Sequence, residues 1–141
     1  MLSRTVDTVA VRGEWIILLV ARVLIAALFI PAGYGKLTNI AGFAHYLETK
    51  GVPAPMAFAV IAGVVEFFGS LAILFGFKVR YAAPLLALFT VIAAFLGHPF
   101  WLADAASFTA QKSNFFKDLA IAGGIMVIYV HGAGPLSVDR R

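Results

Sequence analysis

Cysteine is absent from the 141 residues. Its absence excludes disulfides, thiolate metal sites and every thiol–disulfide exchange mechanism. It also removes the four-helix quinone-linked disulfide oxidases, which work through cysteine pairs. Charge is scarce as well, at 13% of residues against the roughly 25% of an ordinary soluble domain. Seven of the charged residues are acidic and eleven basic, giving a formal net charge of +4. So few cations, spread along the chain, suit basic membrane flanks better than a nucleic-acid surface, and no nucleic-acid partner is expected. Histidine occurs three times, as His45, His98 and His131, and no pair has metal-ligand spacing. Neither a metal site nor haem is expected. There is no glycine-rich phosphate loop and no nucleophile elbow.

Apolar residues are abundant instead. They make up 62% of the chain, with a mean hydropathy of +0.95. A chain this short keeps about a third of its surface exposed after folding, and here there are too few polar residues to cover it. The surplus apolar surface faces lipid, and only helices or closed barrels satisfy their backbone there. Four apolar runs, at about 15–35, 55–75, 81–97 and 115–130, are each near the roughly 20 residues that a spanning helix needs. The expectation is an all-α integral membrane four-helix bundle with antiparallel neighbouring helices.

The remaining segments divide the chain further. Residues 1–14 read as a short polar arm, 15–131 as the membrane domain and 132–141 as a tail. Residues 36–53 read as a polar outer loop closed by Gly51-Val52-Pro53-Ala54-Pro55, whose prolines suit a helix start. Gly76-Phe77-Lys78-Val79-Arg80 is a tight turn. The longer connection from His98 to Asn114 carries Phe100, Trp101 and Phe108, as an interfacial segment would. Asn114 is the expected N-cap of the last helix, with Asp118 in its first turn.

Lysine and arginine placement predicts orientation. Arg4, Arg12, Lys78, Arg80, Arg140 and Arg141 fall on the side of the termini, against Lys36, Lys50, Lys112 and Lys117 on the other. Six against four places both termini in the cytoplasm. A cleaved signal peptide is the competing reading of the start, but no small-x-small site follows the first run.

Two charges fall inside the predicted spans. Arg22 lies in the first run and Glu66 in the second, at similar depth because the helices run in opposite directions. Glu66 shares a face with Ala59, Ala62, Gly63, Gly69 and Ser70, small residues that let helices approach closely. The expectation is an intramembrane pair, Arg22 with Glu66, that fixes helix register or carries function. A second polar group gathers at the outer rim: Lys36, His98, Trp101, Lys117 and Asp118, with Gln111 and Asn114 nearby. A histidine, an aspartate and lysines beside aromatic walls suit the polar head of a lipid-soluble molecule such as a quinone.

These pieces together resemble the DoxX family of small bacterial membrane proteins. The resemblance is carried in order by Arg22-Val23-Leu24, Leu28-Phe29, Gly33-Tyr34-Gly35-Lys36-Leu37, then Glu66 with Gly69 and Gly76. His98-Pro99-Phe100-Trp101, Asn114-Phe115-Phe116-Lys117-Asp118-Leu119-Ala120 and Gly123-Gly124 follow, and the ending runs from Gly132 to Asp139. The family takes its name from a subunit of a terminal-oxidase-linked thiosulfate:quinone oxidoreductase, and some relatives join membrane oxidoreductase assemblies. The resemblance implies a multi-pass protein of the bacterial inner membrane that interacts with quinone, with a protein partner or a second copy. The chain lacks the extra periplasmic part of a full thiosulfate-oxidising enzyme, so a subunit is expected in place of an autonomous enzyme. The competing expectation is a non-enzymatic membrane scaffold or a small-solute permeation protein.

Overall fold

A computed structural model describes residues 2–139, apart from the side chains of residues 2–6, 9, 10 and 12. Among the described residues the chain is all helical: α1 (Leu2–Thr38), α2 (Ile40–Thr49), α3 (Pro55–Phe75), α4 (Val79–Gly97), a 3-10 turn (Phe100–Leu102) and α5 (Phe108–His131). Four segments are long and apolar enough to cross a membrane: Gly13–Thr38, Pro55–Phe75, Val79–Leu102 and Phe108–His131. The chain is thus a four-span membrane bundle, with the turn after α3 and the tail on the side where α1 begins, here called the terminal side. The segment holding α2 and the 3-10 turn lie on the opposite, loop side. Of the six residues behind the expected orientation, Arg4 and Arg12 (by their side chains), Arg140 and Arg141 lie outside the described residues.

Three boundaries differ from the sequence expectations. Residues 2–14 are helical and run on without a break into the first span. Residues 36–53 are not a plain loop, because α2 forms within them. Asn39 caps that helix by accepting the Gly42 N–H at 3.1 Å, and Ala44 and Leu47 bury its inner face. The last helix starts at Phe108, seven residues before the apolar run, with Ser107 in place of Asn114 at its N-cap. Asp104 accepts hydrogen bonds from the Ser107 N–H and hydroxyl, which hold its carboxyl below the usual carboxylate range. Asp118 consequently lies in the third turn of α5, not the first.

The helices pack mainly as two pairs, α1 on α3 and α4 on α5, with α3 against α4 between them. The α1–α3 crossing is close because Gly33 lies against the Phe67 backbone; a Cβ there would stand 2.4 Å from the Phe67 nitrogen. One buried cluster, including Phe29, Ile73, Leu86 and Ile125, fills the middle and the terminal half. A smaller one, Ala44, Leu47, Val52 and Ala59, joins α2 to the loop-side end of α3.

The tail closes the terminal side. Gly76 ends α3 in the left-handed region at φ 67°, and a Cβ on it would strike Ser137 and Ala133. The Val138 N–H donates to the Phe75 carbonyl at 2.9 Å and the Asp139 N–H to the Gly76 carbonyl at 3.1 Å. The Asp139 carboxylate accepts the Lys78 N–H at 2.6 Å.

Candidate functional site: a cavity walled by Lys36–Glu66 and His98–Asp118

Arg22 and Glu66 are both buried, but they do not form the expected pair. Arg22 Nε donates to the Ile73 carbonyl, Nη1 to the Ala133 and Leu136 carbonyls, each at 2.8 Å, and Nη2 to the Leu74 carbonyl. The guanidinium thereby binds carbonyls in the last turn of α3 and ties the tail to the first span. Glu66 takes Lys36 instead, with Nζ 2.5 Å from Oε2. The reason is the slant of helical side chains toward the N-terminus of their own helix. On α1 that slant carries Arg22 toward the terminal side, whereas on antiparallel α3 it carries Glu66 toward the loop side. The two diverge. Lys36, near the end of α1, slants back into the bundle and meets Glu66.

Lys36 and Glu66 line a cavity of about 360 Å³, within the size range of small-molecule sites. Most of its wall is apolar: Phe29 from α1, Phe58 and Val65 from α3, Phe89 and Leu96 from α4. Phe43, Tyr46 and Leu47 of α2 contribute on the loop side. Ile61, Leu85, Leu88 and Ile92 line the cavity and are also exposed on the bundle's outer surface. Its mouth therefore lies between α3 and α4, on a surface that faces lipid in a membrane-spanning protein.

His98 and Asp118 line the same cavity. His98 Nε2 lies 3.8 Å from Asp118 Oδ2, and its Nδ1 is 2.8 Å from Gln111 Oε1. Lys36 also sits over the Phe43 ring, 5.0 Å from its centroid, which links α2 to the Lys36–Glu66 pair. Four ionisable groups from α1, α3, α5 and the end of α4 thus share one mostly apolar chamber. Lys36 supplies donors and the carboxylates supply acceptors, while His98 can do either.

The rim expected from the sequence is only partly assembled. Lys36, His98 and Asp118 come together. Trp101 does not line the cavity: it is half exposed and packs with Phe95, Phe100 and Phe115. Lys117 is exposed on the outside of α5. It is the immediate neighbour of Asp118, and one position on a helix is about 100° of rotation, enough to turn it away. The contribution of α2 was not expected, although Ile40, Phe43, Ala44 and Leu47 carry the i, i+3, i+4, i+7 spacing of an amphipathic helix.

Comparison with known proteins agrees with this architecture. The family profile described as DoxX matches residues 17–99, more than half of the chain. The chain is 44% identical over 122 residues to Inner membrane protein YqjF of Escherichia coli (strain K12), covering 86% of this chain and 88% of that protein. It is 33% identical over 126 residues to Inner membrane protein YphA of the same organism, covering 89% and 90%. A shorter stretch of 78 residues is 27% identical to ER-derived vesicles protein ERV29 of Saccharomyces cerevisiae, covering 55% of this chain and 25% of that protein. No solved structure matches the chain.

Proposed function

The chain belongs to the DoxX family as a multi-pass inner membrane protein, and on that premise we propose that it is a quinone-interacting subunit of a membrane oxidoreductase assembly. The observation that carries this reading is the pairing of two chemistries in one chamber. Lys36–Glu66 and His98–Asp118 stand at the wall of an apolar cavity whose mouth opens toward lipid. A quinone is soluble in the bilayer, has an apolar body and tail, and carries two oxygens on its head. The cavity mouth gives it a route in from the membrane, Phe58, Phe89 and Leu96 give it apolar walls, and Lys36 and His98 give its oxygens hydrogen-bond partners. When bound, the quinone supplies two-electron, two-proton redox chemistry; this chain supplies binding, orientation and groups that hold protons. On this reading the electrons pass to or from a separate protein of the assembly.

The test is the quinone content of the full chain, purified in mild detergent, extracted and measured by mass spectrometry. Near-stoichiometric quinone that falls on Lys36→Met or His98→Ala supports the reading. Content no higher than the membrane background in the wild type moves the assignment to a membrane scaffold or a small-solute permeation protein.

A further inference from the structure

His98 is held at one ring nitrogen and left open at the other. Gln111, in the first turn of α5, presents its amide oxygen to Nδ1 at 2.8 Å. An amide oxygen only accepts, so this contact is a hydrogen bond when the ring hydrogen is on Nδ1. In the neutral imidazole Nε2 then carries a lone pair and no hydrogen. That nitrogen faces Asp118 Oδ2 across 3.8 Å, too far for a direct hydrogen bond. In that tautomer two acceptors face one another at the cavity wall, with no hydrogen between them. Lys36, on the α1 side of the same cavity, is a donor only, and its bond to Glu66 uses one of its three N–H groups.

We propose that Gln111 is a positioning residue that holds His98 in the Nδ1–H tautomer, so that Nε2 accepts a hydroxyl hydrogen from the ligand head. The inference rests on the quinone reading of this cavity and adds that the reduced, dihydroxy form of the head is the preferred occupant. The oxidised head has acceptor oxygens alone. At the His98–Asp118 end it would add a third acceptor, unless the ring took up a proton or gave up its bond to Gln111. The reduced head offers a hydrogen to Nε2 and an oxygen lone pair to the Lys36 ammonium. A site built around a hydroxyl discriminates strongly against an analogue without one, because its own polar groups are then left unpaired.

Two measurements on the full chain in detergent test this. The first is 15N NMR of histidine-labelled protein, with the His98 signal assigned by its loss in His98→Gln. The expected result is a hydrogen on Nδ1 and a bare Nε2 in the wild type. Gln111→Leu should move the hydrogen to Nε2, facing Asp118, while Gln111→Glu, which keeps an acceptor, should leave it on Nδ1. The second compares binding of a short-chain quinol and its quinone under anaerobic conditions. The quinol should bind at least about tenfold more tightly, and Gln111→Leu should bring the ratio toward one. A bare Nδ1 in the wild type, or a ratio that Gln111→Leu leaves unchanged, overturns the proposal. Failure of both forms to bind, with the tautomer as expected, overturns the quinone reading and the hydroxyl preference together and leaves the Gln111–His98 geometry standing.

Discussion

Lys36 and Glu66 form a 2.5 Å ion pair that joins the loop-side end of α1 to the middle of α3. The carboxylate is 8% exposed and the ammonium 20%, so each depends on the other for what water would otherwise provide. Removing one partner from such a pair strands a buried charge, whereas replacing both with apolar groups is often close to neutral.

Lys36→Met is therefore expected to destabilise the bundle by about 3–5 kcal/mol. The double variant Lys36→Met/Glu66→Met should recover most of that loss. Unfolding in mixed micelles measures both. A double variant as unstable as the single would mean that the pair contributes more than mutual neutralisation.

Arg22 is the second buried charge, and its geometry predicts a different response. Its planar fork reaches four carbonyls on two separate segments, which a lysine ammonium does not reproduce. Arg22→Lys should cost at least about 2 kcal/mol despite keeping the charge. The tail should loosen as well, so limited proteolysis after Ala133 is expected to accelerate. Equal proteolysis rates in the two proteins would show that the tail is held by its bonds to Phe75, Gly76 and Lys78 alone.

Two glycines at the α1–α3 contact separate rigid from yielding neighbours. A Cβ on Gly33 meets the Phe67 backbone, while one on Gly63 meets the Leu37 side chain at 2.8 Å. Overpacking costs about 1–3 kcal/mol when neighbours give way. Gly63→Ala should fall at the low end, since Leu37 can change rotamer, and Gly33→Ala at or above the high end. Thermal melts of the two variants should rank in that order.

Acid sensitivity is expected at the start of α5. The bonds from Ser107 hold Asp104 below the usual carboxylate range. A depressed folded pKa means that the ionised form favours the fold. That contribution is complete above the unfolded value of about 3.9 and is lost as pH falls through the folded value. Wild type should melt above Asp104→Ala at neutral pH, and the two midpoints should converge in strong acid.

Much of the architecture is legible in the sequence because hydropathy reports burial in lipid directly. The second apolar run and α3 share the limits 55–75 for this reason. Hydropathy fails where a helix leaves the hydrocarbon. Ser107 to Asn114 is too polar to register, so α5 appears seven residues short, and α2 is lost inside a segment that reads as loop. The Arg22–Glu66 expectation failed for a subtler reason. Helical rise gives the depth of a Cα, but a long side chain ends several ångströms away, in a direction set by the polarity of its helix. The same rule applied at Lys36 points to Glu66. Hydropathy puts His98 and Asp118 near the same end of their helices, yet their convergence with Lys36 depends on the order in which the helices pack, which a single chain's periodicity does not contain.

The arginine on the first span also sets a condition on synthesis. Two of its partners, the carbonyls of Ala133 and Leu136, lie 111 and 114 residues further along the chain, and the other two arrive with the end of α3. The two tail carbonyls are made only after the fourth span. The guanidinium completes its set of bonds only when Leu136 has been made, so a chain that stalls in its fourth span has its helices in the membrane but lacks the tail latch.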